Sequence, residues 1–400
     1  MQAEKYRAAP GRTRAHSTQQ VLRTIFTDGP ISRADLSRIT QLTPPTVSDV
    51  VAGLIKDGLV EEMGLAPSSG GRRAILLRVI DDSRQLIGID LSRRDFRGAL
   101  SNLRGTIQQR SSLSLNGADG ETALNMVYDL VDSLIDSSTR PILGIGIGAP
   151  GLIDAASGVL QQSVNLDWRH IPLRNLLQQR YGFPVYLAND SQASALAAYA
   201  AENRGSSEFP LVVINIGWGV GAGIILNGQL LHGSPVGAGE IGHVKVVQDG
   251  EQCACGHYGC LETVASSRSI VNRLRVIAAK NPDNSIGSYV RSPDEINLEI
   301  VIQAFNEGNQ DVRDVILEAG TALGIAAANL VGVLGSCRIL IGGNVAHFGQ
   351  FLLDAIREEM SMRTLPSLAQ HTELGMAEEG SDMVMIGASA LILQHELGLL

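Results

Sequence analysis

Apolar residues recur every three or four positions through the first 57 residues, which predicts three short helices. The first helix begins near His16 and ends before Gly29 and Pro30. Ser32 is a suitable N-cap for the second helix. A third helix is predicted at about 45–57, after a turn with two prolines, and a glycine follows it where a helix commonly ends.

A β-hairpin is predicted after the third helix. Residues 59–61 and 74–79 form its two strands, and a loop rich in serine, glycine and arginine joins them. The first fifteen residues carry four Lys or Arg together with Pro10 and Gly11, which predicts a mobile basic arm.

Beyond residue 82, strands and helices alternate, as the βαβ units of an α/β fold require. A second strand-rich group starts at 211–216, about 125 residues after the first at 85–91, which predicts a duplicated fold with two lobes and a cleft between them. The other predicted elements are strands at 96–103, 142–148, 184–188, 221–226, 229–232 and 338–341, and helices at 119–138, 171–181, 190–203, 264–280, 294–307, 311–334, 348–360 and 383–398.

The most apolar stretch, residues 319–345, is interrupted by Gly320, Gly324, Asn329, Gly332 and Gly335, so it predicts a buried helix and strand rather than a membrane span. The N-terminus has no apolar signal segment. Four cysteines in 400 residues do not make a disulfide framework. We therefore expect a cytoplasmic protein without membrane insertion.

The net charge of −9 is unevenly distributed. Residues 1–80 carry eleven Lys or Arg against seven Asp or Glu (+4), and the other 320 carry 21 against 34 (−13). This asymmetry predicts that only the N-terminal part meets a polyanion.

Three helices followed by a basic hairpin are typical of a winged helix-turn-helix domain that binds DNA. The third helix would enter the major groove, and small polar side chains near its start are suited to short-range contacts with bases and phosphates. A helical module for oligomerisation or protein docking is the alternative. The candidate DNA contacts are Thr43, Thr46, Ser48 and Asp49 at this helix, and Arg72 and Arg73 in the hairpin loop.

The pattern Glu-x-Gly-His followed by Cys-x-Cys-Gly-x-x-Gly-Cys-Leu-Glu is the most specific motif in the chain. Three thiolates and an imidazole supply the four tetrahedral ligands that structural zinc prefers, and the intervening glycines allow a tight loop. The alternative is a loop of reduced cysteines without metal, and His257 is a rival to the first histidine. Cys337 lies among apolar residues and is expected to be a buried hydrophobe. The predicted zinc ligands are His243, Cys253, Cys255 and Cys260.

This motif, with the helix-turn-helix pattern before it, resembles the ROK family over essentially the whole chain, in particular its transcriptional regulators of the xylose-repressor, Mlc and NagC type. The resemblance implies an actin-like (ribonuclease H-like) two-lobed sugar-kinase fold behind a winged helix-turn-helix domain. It also implies that His243 and the three cysteines bind zinc, which removes His257 from the candidates.

The resemblance further implies a sugar site. Asn189 and Asp190 match the pair that hydrogen-bonds sugar hydroxyls, with Asp190 at the general-base position of the kinases, and Glu240, His243 and Glu262 match the other sugar contacts. Taken alone, Asp190 would be read as a helix N-cap and Glu262 as a first-turn carboxylate. Residues 146–151 resemble the loop that borders the pocket, and Asn165 is an additional candidate contact.

The ATP-binding motifs of the kinases are altered. Asp90 is followed by Ser92, Arg93 and Arg94 where the kinases have Gly-Gly-Thr, and side chains there would obstruct the approach of phosphate to backbone N–H groups. In the second phosphate turn, Trp218 stands where the kinases have threonine. Without ATP catalysis, Asp190 would be a ligand contact only.

The sequence therefore predicts a DNA-binding regulator, a repressor, whose body (81–400) binds a sugar or sugar phosphate as effector and whose head (1–80) binds operator DNA. A sugar-induced change of lobe angle would re-space the two heads of a homodimer or homotetramer. Two alternatives stay open: an ATP-dependent sugar kinase with an appended DNA-binding head, and a module that docks a protein such as a transporter component.

Overall fold

The computed structural model describes residues 10–65, 73–92, 94–202, 209–233, 237–281, 285–377 and 382–399. The chain divides into two compact units. The first unit consists of residues 1–151, 156–188 and 388–400, and the second consists of residues 152–155 and 189–387.

The N-terminal part of the first unit has three helices and a small three-stranded antiparallel sheet in the order β1-β3-β2. The Ser32 hydroxyl accepts the backbone N–H of Asp35 and so caps α2, as the sequence predicts. The first helix begins at Pro10, so the predicted arm is wrong for residues 10–15, which are helical. The elements are α1 (Pro10–Asp28), β1 (Ile31–Ser32), α2 (Arg33–Thr40), α3 (Pro44–Lys56), β2 (Val60–Leu65) and β3 (Ile75–Val79).

A five-stranded sheet with the order β11-β7-β4-β5-β6 follows in the same unit. β4 pairs antiparallel with β5 and parallel with β7. The elements from this part of the chain are β4 (Gln85–Leu91), β5 (Asp95–Ser101), β6 (Ile107–Ser114), α4 (Gly120–Asp136), β7 (Ile142–Ala149), β8 (Leu152–Asp154), β9 (Val159–Ser163), β10 (Trp168–Ile171), α5 (Leu173–Tyr181) and β11 (Val185–Asn189).

The second unit repeats this arrangement in a sheet of order β14-β13-β12-β15-β16. β12 again pairs antiparallel with the next strand and parallel with a later one, β15, so the predicted duplication is confirmed. The elements from this part of the chain are α6 (Asp190–Glu202), β12 (Leu211–Ile216), β13 (Val220–Leu226), β14 (Gln229–Leu230), α7 (Glu262–Ala265), α8 (Ser267–Lys280), α9 (Leu298–Asn306), α10 (Gln310–Leu334), β15 (Arg338–Gly343), α11 (Gly349–Arg363), α12 (Pro366–His371), β16 (Glu373–Met376) and α13 (Met383–Ile392), whose last five residues belong to the first unit.

Helix α10 is long and apolar enough to cross a membrane, but 61% of its most apolar window is buried inside the protein. It packs against α11 and contributes to the hydrophobic core of the second unit, in which Ile316 and Val331 are fully buried. Residues 310–343 thus form the buried helix and strand that the glycine-interrupted apolar stretch predicts.

The hydrophobic core of the N-terminal helices also contains residues from the C-terminal end of the chain. Val21 and Leu54 share this core with Leu393 and Leu399, and Leu399 is fully buried. The C-terminal segment reaches it as a π-helical turn, Leu393–Leu397, that continues α13. Burial of these leucines therefore contributes to the stability of the N-terminal helices.

Candidate functional site

Four potential metal ligands come together in the second unit, at the predicted motif. The ligand atoms of His243, Cys253, Cys255 and Cys260 all lie within 4.8 Å of one another. His243 ends a short 3-10 turn, Ile241–His243, and the cysteines lie in the loop that precedes α7. His257 is not in this cluster, and Cys337 is buried in the apolar core.

The spacing within this cluster suits a tetrahedral ion. The Sγ atoms of Cys255 and Cys260 are 3.7 Å apart, and Cys253 Sγ is 3.5 Å from Nδ1 of His243. A tetrahedral zinc ion with Zn–S bonds of about 2.3 Å separates two sulfur ligands by about 3.8 Å. The donor set and its geometry therefore fit zinc.

The loop can close this tightly because residue 259 is glycine. Gly259 has φ +75°, and a Cβ there would lie 1.8 Å from the carbonyl oxygen of Val247. The Val246 and Val247 N–H groups both donate to the Gly259 carbonyl. These hydrogen bonds hold the backbone of residue 259, and with it the neighbouring Cys260, against residues 246 and 247. A side chain at 259 would displace the loop and with it the adjacent cysteine.

The three thiols differ in their readiness to ionise. Burial raises the pKa of Cys260 to about 12 and also raises the pKa of Cys253. The pKa of Cys255, which is exposed, is lowered chiefly by the backbone N–H of His257. Since zinc binds thiolates, binding of the ion would release protons from the two buried thiols.

Asn189 and Asp190 lie at the junction of β11 and α6. Asn189 Oδ1 accepts the N–H of Ser191 at 2.9 Å, which is the contact of an N-cap side chain two residues before its donor. Asp190 Oδ1 accepts the same N–H and the Ser191 hydroxyl, at 2.7 and 3.2 Å. Both side chains accept the Ser191 N–H, so Asn189 and Asp190 share the capping contact at the start of α6.

Asp190 belongs to a group of carboxylates. Its carboxyl group is desolvated, although the residue keeps some accessible surface, and burial raises its pKa to about 6. The charge of Glu240 adds to this rise in pKa. Burial also raises the pKa of Glu240, with the charge of Glu262 adding and that of His243 opposing. The structure thus brings the predicted Asp190, Glu240, His243 and Glu262 within electrostatic reach of one another.

His243 connects this group to the cysteine cluster. Its Nδ1 faces Cys253, and the residue is exposed, so Nε2 is the ring nitrogen left for another partner. Which nitrogen carries the proton follows from what binds the other one.

Glu262, at the start of α7, is held by its surroundings. Its Oε2 accepts the N–H of Val220 at 3.3 Å, and its Oε1 lies 3.4 Å from the Arg268 guanidinium. A Cβ at Gly219 would lie 2.6 Å from Oε2, so a side chain at that position would displace the Glu262 carboxylate. The guanidinium of Arg268 is also 5.6 Å from the ring centroid of Trp218, which is 45% exposed.

The turn after β4, where the kinase resemblance predicts phosphate binding, is closed by local contacts. The buried Asp90 carboxylate forms an ion pair with Arg97, which is opposite it on β5. The Ser92 hydroxyl donates to the carbonyl of Asp95 at 2.6 Å. Arg93 lies outside the described residues.

In the first unit, α3 presents the predicted DNA contacts on the side opposite its buried valines. Thr43, Ser48 and Asp49 are exposed, and Thr46 is partly exposed. The Thr43 hydroxyl caps α3 and contacts the Thr46 hydroxyl at 2.8 Å. Both hydroxyls are therefore partly used within the protein.

The remaining predicted contacts are separate from these. Arg73 precedes β3 and lines a surface depression together with Ser32 and Arg33. Arg72 lies outside the described residues. Asn165 is exposed on a 3-10 turn, Val164–Leu166, in the first unit.

Sequence reasoning missed two arginines, Arg97 and Arg268. Arg97 could have been found, because a β-hairpin with a turn at 92–94 places it opposite Asp90. Arg268 had no comparable signal, since its ion pair with Glu262 depends on the turn between α7 and α8.

Comparisons with known proteins agree with this geometry. Residues 86–395 match the model of the ROK family, and residues 14–61 match a winged helix-turn-helix DNA-binding family. The xylose repressor of Caldicellulosiruptor bescii is 33% identical over 94% of this chain and 95% of its own. The glucokinase of Halalkalibacterium halodurans is 31% identical over 78% of this chain and 96% of its own.

A solved structure of a ROK family transcriptional regulator, a homologue of Escherichia coli Mlc, superposes with a TM-score of 0.86. It is 28% identical and covers 97% of this chain and 98% of its own. The family match extends over more than three quarters of the sequence, and the regulator matches both the head and the body. The chain therefore belongs to the ROK family and carries the N-terminal winged helix-turn-helix domain of that family's transcriptional regulators.

Proposed function

We propose that this protein is a cytoplasmic repressor that binds operator DNA through its winged helix-turn-helix head and loses affinity for that DNA when a sugar binds its body. The observation that carries the proposal is the group formed by Asp190, Glu240, His243 and Glu262 beside the cysteine cluster. The division into a head (1–80) and a body (81–400) and assembly as a homodimer or homotetramer belong to the same proposal.

The chemistry of sugar recognition follows from the free atoms of this group. Vicinal sugar hydroxyls donate hydrogen bonds to carboxylates. A hydroxyl or carboxylate left without a hydrogen-bond partner in a desolvated site makes the binding free energy less favourable, so several such contacts discriminate between epimers. Asp190 uses Oδ1 for Ser191, which leaves Oδ2 for a ligand hydroxyl. Asn189, whose Oδ1 shares the cap of α6, is the other proposed sugar contact of this pair.

Zinc would be held by His243, Cys253, Cys255 and Cys260 and would act as a structural ion, because all four tetrahedral positions are filled by protein. With Nδ1 facing the cluster, the His243 ring presents Nε2–H as a donor to the sugar. The loop, once it held zinc, would thereby fix the orientation of one proposed sugar contact.

The Asp90–Arg97 ion pair supports the absence of kinase activity. A guanidinium already neutralises the carboxylate at the first phosphate turn, and the Ser92 contact closes the turn itself. The second candidate function, an ATP-dependent sugar kinase, is favoured by the desolvated carboxylate of Asp190, whose raised pKa suits a general base, and by the likeness to a glucokinase.

On DNA, α3 would lie in the major groove with Thr43, Thr46, Ser48 and Asp49 near base edges and phosphates, and Arg72 and Arg73 would reach the backbone or minor groove from the hairpin. Two heads of a symmetric oligomer would read half-sites spaced by about 34 Å, one turn of the duplex, or a multiple of it.

One experiment tests the proposal against its alternative. Purified protein is screened by thermal shift against xylose, glucose, N-acetylglucosamine and the available 6-phosphates, and a stabilising ligand is then titrated into a gel-shift assay with DNA from its own promoter. We expect the ligand to weaken DNA binding at least fivefold, and ATP to give no turnover of any sugar. Steady phosphorylation that disappears in Asp190→Asn would instead establish a kinase. DNA binding that no sugar alters would reject the sugar response and favour a docked protein as the signal.

Sugar affinity should depend on pH through Asp190. Its pKa is about 6, so the carboxylate is ionised at pH 7.5 and becomes protonated as pH falls below 6. Because protonation removes the charged acceptor for a ligand hydroxyl, we expect the affinity to fall up to tenfold per pH unit below about pH 6. Calorimetric titrations from pH 5 to 8 measure this, with Asp190→Asn as the reference for weak binding. An affinity that stays constant down to pH 5 would show that Asp190 does not contact the ligand.

A further inference from the structure

The surface next to Glu262 is formed by Trp218 and Arg268. Trp218 occupies the turn between β12 and β13 and keeps 45% of its surface exposed even with the Arg268 guanidinium near its ring. The other tryptophan, Trp168, is 1% exposed. An aromatic ring this exposed beside a binding carboxylate is typical of the wall of a small-molecule site.

This turn is anchored to α8. The carbonyl of Gly217 accepts the N–H and the hydroxyl of Ser267, at 2.9 and 2.7 Å, and Gly217 N–H donates to Gly219 at 2.9 Å. Trp218 follows Gly217 and Arg268 follows Ser267, so these contacts hold the backbone of the two residues close together. The indole and the guanidinium therefore extend from neighbouring, anchored backbone positions, 5.6 Å apart.

The side chains around this surface carry more negative than positive charge. Asp190, Glu240 and Glu262 bring three carboxylates together, and the only one with an ion-pair partner among the described residues is Glu262, with Arg268. The guanidinium already faces both Glu262 and the indole, so it has limited capacity for a further anion. A ligand that carried a phosphate dianion would bring more negative charge to an acidic site.

We propose that Trp218 is the specificity wall of the effector site, that an uncharged sugar lies against its ring, and that Arg268 acts as a positioning residue that holds Glu262 and the indole. This inference rests on the proposed function and narrows it: the effector is an unphosphorylated sugar. The C–H groups on the face of such a sugar match an exposed indole, and its hydroxyls match the carboxylates.

The two tryptophans allow a direct test. In full-length Trp168→Phe, all tryptophan emission comes from Trp218. Titration with the uncharged sugar found in the screen should shift this emission and reduce its quenching by acrylamide at least twofold. Calorimetry should show sugar affinity about tenfold weaker in Trp218→Ala, partly retained in Trp218→Phe, and at least threefold weaker in Arg268→Gln. Phe209→Ala, which removes another exposed aromatic ring of the same unit (51% exposed), should leave the affinity unchanged.

Separate results test the charge of the ligand, the role of Trp218 and the proposed function. The 6-phosphate of the same sugar should bind at least tenfold more weakly than the free sugar, and a 6-phosphate that binds as tightly would overturn the assignment to an uncharged ligand. Equal affinity of the parent protein and Trp218→Ala, with an unchanged emission spectrum, would remove Trp218 from the site while leaving the sugar-responsive function intact. If no sugar binds the parent protein at all, the proposed function fails and this inference fails with it.

Discussion

Replacement of Cys255 by serine is expected to reduce bound zinc from one mole per chain to less than one tenth and to abolish the response of DNA binding to sugar. Cys255 is the exposed member of the cluster, with a lowered thiol pKa, and its Sγ lies 3.7 Å from that of Cys260. Serine offers no thiolate, so only three ligands would remain for a tetrahedral ion. Structural zinc stabilises small domains by about 10–16 kcal/mol, so the loop around it should lose its order.

The sugar response should be lost together with zinc because His243 belongs to both groups. Its Nδ1 faces Cys253, and the charge of His243 acts on Glu240. Without the ion, the His243 ring would lose its fixed orientation, and the proposed sugar site would lose the His243 N–H donor. Zinc is measured by atomic absorption, and the sugar response by gel shift.

Cys337→Ala is the matched control, since Cys337 is buried in the core away from the cluster. That variant should retain zinc and respond to sugar. Retention of one mole of zinc per chain in Cys255→Ser would contradict the ligand assignment. Loss of zinc with an intact sugar response would separate the metal loop from sugar binding.

Replacement of Leu399 by alanine is expected to lower the free energy of unfolding of the first unit by about 2–4 kcal/mol, as for other fully buried leucines. Leu399 is 0% exposed and shares a hydrophobic core with Val21, Leu36 and Leu54 of the three N-terminal helices. Its N–H donates to the carbonyl of Leu393, and the adjacent Gly398 packs against Gln19 of α1. A cavity at this position would therefore weaken the hydrophobic core on which the N-terminal helices pack.

Thermal unfolding and gel shift measure this effect. We expect the melting temperature to fall by about 5–10 °C and DNA binding at 37 °C to weaken, whereas sugar affinity, which depends on the second unit, should not change. Leu365→Ala makes the same substitution at a position that is 67% exposed, and it should shift the melting temperature by less than about 2 °C. A Leu399→Ala protein as stable as the parent would mean that the C-terminal segment does not support the head.

The cysteine cluster and the caps of the N-terminal helices could be predicted from sequence because each is a local feature. Ser32 and Thr43 cap α2 and α3 through residues three positions away. The three cysteines lie within eight residues, so loop geometry alone brings them together, and His243 follows from the motif. Features formed by residues close together in the chain can therefore be predicted from the spacing of those residues.

Several helices and strands were not predictable because they have few buried apolar residues and so show no periodic apolar pattern. Strand β6, Ile107–Ser114, has mostly polar side chains and lies at the edge of its sheet, so neither alternation nor apolar content identifies it. Strand β16 and helix α12 are short and largely exposed or half-buried. Helix α1 extends back to Pro10 through charged residues that resemble a basic arm.

The role of Asp190 shows how structure changes an interpretation. In the sequence it could be either a helix cap or a ligand contact. The Ser191 N–H is accepted by both Asn189 Oδ1 and Asp190 Oδ1, so the cap does not depend on Asp190 alone. The burial that raises the Asp190 pKa depends on the elements packed around it, and no local pattern encodes that.

The sequence by itself determined the family, the order of head and body, the duplicated α/β pattern and the cluster of one histidine and three cysteines that could hold a metal, because periodicity and motif spacing are properties of neighbouring residues. Only the tertiary structure decided that Arg97 neutralises Asp90, that Arg268 joins Trp218 to Glu262, and that Leu393 and Leu399 complete the core of the N-terminal helices. Charge pairing and apolar burial act between atoms within a few ångströms. Val21 and Leu399, which are 378 positions apart in the chain, satisfy that condition only once the fold has brought them together.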